Sequence, residues 1–123
     1  MKNTNCIKIL ENHLEVVLDV IVYKDGDMFY AYAPALDIAG YGDNQEKAKA
    51  SLNIMLEEYF RYACEEHTLE EDLRQHGWKE AARLQENFSS PSFMTLLRKN
   101  RQLQDVVSGD FTKISEQFSY SAV

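Results

Sequence analysis

The chain has 123 residues, 45% of them apolar and 27% charged, which suits one domain with an ordinary core and no disulfide or metal staple. Its 20 acidic residues outnumber 13 basic ones, and the net charge of −7 repels phosphate backbones and suits a basic protein partner. No run of about 18 apolar residues occurs, and MKNTNCIKIL lacks a signal-peptide core, so a cytoplasmic protein without a membrane span is expected.

Residues 14–23, rich in Val, Leu and Ile, are predicted to form a strand. Asp25-Gly26 suits a two-residue type I′ turn, with Lys24 facing Asp27 and Tyr23 facing Met28. This register puts Val16, Leu18, Val20, Val22, Phe29, Ala31 and Ala33 on a wholly apolar sheet face. The other face carries Val17, Asp19, Ile21, Tyr23, Met28, Tyr30 and Tyr32, and nothing in the sequence is assigned to cover it. Pro34 ends the second strand, because it has no N–H to give a ladder. Residues 36–42 are predicted to be a short third strand.

Asp43-Asn44-Gln45-Glu46 resembles a capping box with Asp43 as the cap, opening a helix that runs to about residue 66. Ala48, Leu52, Met55, Leu56, Tyr59, Phe60 and Ala63 recur at helical spacing and are expected on the apolar sheet face. Thr68-Leu69-Glu70-Glu71 reads as a second capping box, for a short helix stopped at Gly77. Residues 79–88 fit a fourth strand or a helix, with Ala81, Ala82, Leu84 and Gln85 favouring helix. Residues 93–107 are expected to be helical, in two pieces divided near Asn100, and residues 113–122 to form a terminal strand. The expected class is α+β: an antiparallel sheet of three to four strands with a long helix on one face, in the order β-β-β-α-β. Residues 1–79 form the core, and residues 80–123 an extension packed on that core or on a dimer mate.

Candidates for chemistry are few. His13, His67 and His76 stand in different elements with no metal-ligand spacing, and Cys6 and Cys64 have no paired spacing. No metal, cofactor or catalytic residue is expected. Asp19, Asp37 and Asp43 are the carboxylates a metal-dependent nuclease reading needs. The competing reading places Asp19 on the outer face, opposite Tyr32, solvated or bonded to a tyrosine hydroxyl. Glu57, Glu58, Glu65 and Glu66 form an acidic flank in the C-terminal half of the long helix, either a solvated face or a site for a cationic partner. Arg98, Lys99 and Arg101 are a small basic group within reach of a DNA contact.

The order of strand, hairpin, strand, proline turn, strand, Gly-Asp cap and helix resembles the HicB antitoxin family. The residues that carry the resemblance are Phe29, Tyr30 and Tyr32; Pro34-Ala35-Leu36-Asp37; Gly42-Asp43-Asn44; and Glu46-Lys47-Ala48, with Leu69, Leu73 and Gly77-Trp78 downstream. It covers residues 14–79. Ala35 and Asp37 replace the usual Asp and second Pro of the family's turn, and residues 88–123 depart from the helix-turn-helix or ribbon-helix-helix tail of many members. The resemblance implies a partial ribonuclease H-like fold without an intact catalytic carboxylate set. It also implies a small basic mRNA-cleaving toxin as partner, and a homodimer or higher oligomer. The expected function is therefore to bind and occlude such a toxin, with Ile21, Tyr23, Tyr30 and Tyr32 and the flank Glu57, Glu58 and Glu65 as partner or dimer surfaces. The alternatives are a regulator that binds its own operator through the C-terminal region and a degenerate RNase H-like nuclease.

Overall fold

The computed structural model describes residues 5–80 and 87–121. The chain runs β1 (Cys6–Ile9), β2 (His13–Asp25), β3 (Met28–Ala33), β4 (Ile38–Gly42), α1 (Gln45–Glu65), α2 (Leu69–Gln75), β5 (Lys79–Glu80), β6 (Asn87–Ser89), α3 (Phe93–Lys99), α4 (Arg101–Val107) and β7 (Phe111–Ser121). The strands make one seven-stranded sheet in the order β4-β3-β2-β1-β6-β5, with β7 also on β2. The class is α+β with antiparallel pairing, as expected. The sheet is wider than the three or four strands expected: β1 is too short to show a period, and β5 and β6 stand at the two ends of residues 79–88, where a fourth strand was one of the two readings. Residues 81–86, where a helix was the local preference, lie outside the described residues. Among the described residues no helix is long and apolar enough to cross a membrane.

β2 organises the sheet. β7 lines it continuously from His13 to Tyr23, so β1 and β3 must share its other edge, end to end. The ladder of β3 on β2 stops at the pair Ile21–Tyr32, and its register would bring Pro34 opposite Asp19. Pro34 offers no N–H there. Asn5, just ahead of β1, fills the gap: its Oδ1 accepts the Asp19 N–H at 2.6 Å and its Nδ2 donates to Asp19 Oδ2 at 3.3 Å.

The hairpin differs from expectation by one turn position. Asp25 pairs Met28 and Tyr23 pairs Tyr30, so the loop is Gly26-Asp27. Gly26 takes φ 63 while Asp27 stays negative, whereas a type I′ turn on Asp25-Gly26 needs positive φ at both residues. Glycine takes that geometry at least cost, so the turn slides to put Gly26 first. The pairing shifts by two residues, an even number, and both predicted faces survive. Asp19 consequently does not face Tyr32; Ile21 does.

The even-numbered face of β2 packs on α1. Ala48, Leu52, Leu56, Phe60 and Ala63 join Leu14, Val16, Leu18, Val20 and Val22 in the main core. Met55, expected in that stripe, is 49% exposed: it lies on the flank of α1, off the buried line. The N-cap of α1 is Asn44 rather than Asp43; its Oδ1 accepts the Lys47 N–H at 2.8 Å, and Asp43 instead pairs with Lys47 Nζ at 3.1 Å. α1 lies directly on β4, where a Cβ on Gly40 would sit 2.1 Å from the Leu52 nitrogen.

α1 and α2 end in the same way. The Thr68 N–H reaches Ala63 O at 2.9 Å behind His67 at φ 56, and the Trp78 N–H reaches Leu73 O at 2.9 Å behind Gly77 at φ 85. Both are Schellman motifs, one with glycine at the left-handed position and one with histidine. Thr68 makes no side-chain cap, so the predicted second capping box is not formed; its carbonyl accepts the Asp72 N–H instead. Trp78 is buried and its indole N–H donates to Ala35 O at 2.8 Å, tying the end of α2 to the proline turn.

The C-terminal region returns to the sheet. Its two helices divide at Asn100, as expected, and β7 completes the edge of β2. α3 and α4 lay Phe93, Leu96, Leu97, Leu103, Val106 and Val107 against Ile21 and Tyr32 on the outer face. Asn100 fastens this layer: its Nδ2 donates to the Tyr32 hydroxyl at 2.7 Å, and its Oδ1 accepts the Leu103 N–H at 3.1 Å as the cap of α4.

Candidate functional site

The helical layer covers only part of the outer face. One step along the strands, at the hairpin end, four aromatic side chains stand in a single cross-strand row. Phe111 pairs Tyr23, Tyr23 pairs Tyr30, and Tyr30 pairs Tyr41, so the row crosses β7, β2, β3 and β4. Cross-strand partners share a face, and all four therefore project outward. The Tyr23 and Tyr30 rings stack at 5.2 Å between centroids, and Tyr30 and Tyr41 follow at 6.4 Å. The ends of the row are open: Tyr41 is 63% and Phe111 40% exposed. Tyr23 is half-buried; burial pushes its hydroxyl pKa up, and a hydrogen bond from Gln102 of α4 opposes that rise.

The strand ends around this row are acidic. Asp25 and Asp27 belong to the hairpin tip, Asp43 follows β4 and Asp110 precedes β7, and all four are exposed. Antiparallel order brings these four positions to one end of the sheet. Tyrosine faces beside carboxylates form a surface that accepts guanidinium or ammonium groups, by cation–π contact and by pairing.

Comparison with protein families, with curated proteins and with solved structures returns no match for this chain.

The sequence-based site residues fall into separate places. Tyr23 and Tyr30 are in the row. Ile21 and Tyr32 are 0% and 2% exposed beneath α3 and α4, so they serve the core rather than a surface. The Tyr32 hydroxyl donates to Asp37 at 2.6 Å, and burial followed by that carboxylate drives its pKa well above the usual tyrosine range. Glu57, Glu58 and Glu65 are exposed on α1, across the sheet from the row, so the two groups cannot form one continuous surface. Arg61 stands among them, 2.6 Å from Glu58 and 3.9 Å from Glu65, and offsets much of the expected negative charge. Arg98, Lys99 and Arg101 are exposed on either side of Asn100.

The nuclease carboxylates are each engaged elsewhere. Asp19 is buried, held by Asn5 and 3.9 Å from Lys113 Nζ; Asp37 accepts from Tyr32; Asp43 pairs Lys47. Among the described residues no three His, Cys, Asp or Glu side chains are grouped so as to hold a metal ion. The buried position of Asp19 corrects the expectation of a solvated or tyrosine-bonded group. Tyr41 and Phe111 were missed in the sequence. Tyr41 sits between two glycines, which crowd an aromatic ring little, but the register that places Phe111 beside Tyr23 has no local signal.

Proposed function

We propose that this chain is a non-catalytic binding module of the HicB type, which holds and occludes a small basic mRNA-cleaving toxin in the cytoplasm. The observation that carries the reading is the aromatic row Phe111, Tyr23, Tyr30 and Tyr41 with carboxylates at its end. Large, partly ordered tyrosines lose little conformational freedom on binding and are favoured anchors at protein interfaces. A net charge of −7 steers a cationic protein toward them. The unit β2-β3-β4-α1, three antiparallel strands with a helix across one face, supports the partial ribonuclease H-like arrangement that the family resemblance implies.

The test is co-expression with the product of the adjacent reading frame, which this reading expects to be a small basic protein. The expected result is a complex that suppresses messenger RNA cleavage, weakened about tenfold or more by Tyr41→Ala with Tyr30→Ala. Charge reversal at Asp25 and Asp27 should slow association and reduce its salt dependence. Failure of any basic protein to co-purify, or binding unaffected by these changes, counts against the reading. Steeply salt-dependent binding to promoter DNA, lost in Arg98→Ala with Arg101→Ala, would favour a regulator instead.

A further inference from the structure

β7 has a second edge. One side of it pairs β2 over eleven consecutive positions without a bulge, and among the described residues no strand pairs the other side. Which backbone groups face outward follows from Asp19. Its N–H points to Asn5, on the β1–β3 side of β2, so the odd-numbered residues of β2 direct their backbone groups that way. The even-numbered residues of β2 therefore bond β7, through Val22–Thr112, Val20–Ile114, Leu18–Glu116, Val16–Phe118 and Leu14–Tyr120. Phe111, Lys113, Ser115, Gln117 and Ser119 are left with N–H and C=O aimed off the sheet. Among the described residues no backbone or side-chain hydrogen bond meets them.

Proteins blunt such edges with proline, bulges or projecting lysines. Here the prolines are at 34 and 91, the register is unbroken, and the one lysine of the strand is drawn inward. Lys113 Nζ lies 4.8 Å from the Phe93 ring centroid and 3.9 Å from Asp19, over the sheet's outer face. The strand is locally neutral, Lys113 against Glu116, although the whole chain carries −7. It can therefore meet a copy of itself without the repulsion the rest of the surface would impose.

We infer that β7 is a self-association edge and that its occupant is the β7 strand of a second copy, joined antiparallel about a two-fold axis to extend both sheets into one. The axis passes through Ser115. Outward-facing pairs are then Ser115–Ser115, Lys113–Gln117 and Phe111–Ser119, and the intervening pairs are Ile114–Glu116 and Thr112–Phe118. No like charges meet. Moving the axis to Glu116 would oppose two glutamates directly, which disfavours that register. The Ser115 register forms about ten inter-chain N–H···O=C bonds. It also brings the mate against a groove of about 510 Å³ between α1 and β7, floored by Val20, Leu52 and Phe118. The pairing uses the backbone edge of β7, which shares only Phe111 with the aromatic row, and stands whether or not a toxin is the partner.

The test is sedimentation equilibrium of the full chain across the micromolar range, with hydrogen exchange on the same samples. A dimer is expected, with the Lys113, Ser115 and Gln117 amides protected. Ser115→Pro removes an outward N–H that the monomer does not use, so it should fold and sediment as a monomer. Ser115→Lys sets two ammonium groups across the axis while facing Asp19 of its own chain with an opposite charge, and should raise the dimer dissociation constant about tenfold and speed exchange of those three amides. A wild-type chain that stays monomeric overturns the inference. So does a dimer that Ser115→Lys leaves equally tight with the same amides protected, since its contact must then lie elsewhere. If Ser115→Pro does not fold, the Ser115→Lys measurement decides alone.

Discussion

The Asn5 side chain continues a strand that proline interrupts: its Oδ1 takes the Asp19 N–H at 2.6 Å, at the point where Pro34 leaves the ladder. Asn5→Ala leaves that buried N–H without its acceptor and should cost about 1–3 kcal/mol. Asn5→Asp should cost more, because a second carboxylate would face that of Asp19 in a buried site. Urea unfolding followed by circular dichroism gives both values. An Asn5→Ala midpoint equal to wild type would mean the ladder gap is filled some other way.

The paired helix endings make a within-protein comparison. His67 occupies the left-handed position at φ 56, a conformation that costs a non-glycine residue about 1–2 kcal/mol. His67→Gly should stabilise the chain by about 0.5–1 kcal/mol after its extra unfolded-state entropy is subtracted. Gly77→Ala should do the opposite, since it adds left-handed strain and a Cβ 2.9 Å from Pro91 Cγ. Opposite shifts in melting temperature are the expected readout.

Gly40 marks the closest approach of sheet and helix. A methyl group there meets the Leu52 nitrogen at 2.1 Å and the Ala48 oxygen at 2.7 Å, backbone atoms that no rotamer change can move. Gly40→Ala should therefore lift α1 from β4 at a cost of about 3 kcal/mol or more, at the upper end for overpacking. Gly26→Ala finds open space around its Cβ and should lose only about 1–2 kcal/mol to its positive φ. A Gly40→Ala chain as stable as wild type would contradict this packing.

Stability should fall at alkaline pH. Burial raises the pKa of Tyr32, Tyr59 and Tyr120, helped by Asp37 at Tyr32, by Asp72 at Tyr59 and by the charge of Glu57 at Tyr120. In the unfolded chain these groups ionise near pH 10. The neutral form is favoured in the fold, so their contribution is complete below about pH 10 and is lost as pH rises toward the folded-state values. Urea midpoints at about pH 8 and pH 11 should differ markedly, and Tyr120→Phe should shrink the difference while losing the 2.7 Å bond to Asn53. A flat profile would mean these hydroxyls titrate as they do in the unfolded chain.

Alternation and helical period were enough to divide β2 and β3 into two faces and to seat α1 on the right one. The faces survived a wrong turn assignment because the slip was even, whereas an odd slip would have inverted the core. The choice of Asn44 over Asp43 as cap turned on one residue of geometry, which neighbouring cap-forming side chains do not decide. The cover over Ile21 and Tyr32 was not legible for a different reason. Two seven-residue helices carry too short a period to announce a target, and the tie between Asn100 and Tyr32 spans 68 positions. The same distance problem hid the aromatic row, since Phe111 meets Tyr23 only through a register set along the whole of β7.

The pairing of residues 13–23 with 111–121 also governs when the molecule can form. A growing chain can close the β2–β3 hairpin and dock α1 early, from contacts that are near in sequence. One flank of the central strand must then wait until residue 121 has been synthesised. Long-range strand closure of this kind slows folding and leaves a paired-for but unoccupied strand exposed meanwhile. For a nascent chain of this protein, the period of greatest aggregation risk is therefore the interval before β7 arrives, and the pairing of β7 is the step that ends it.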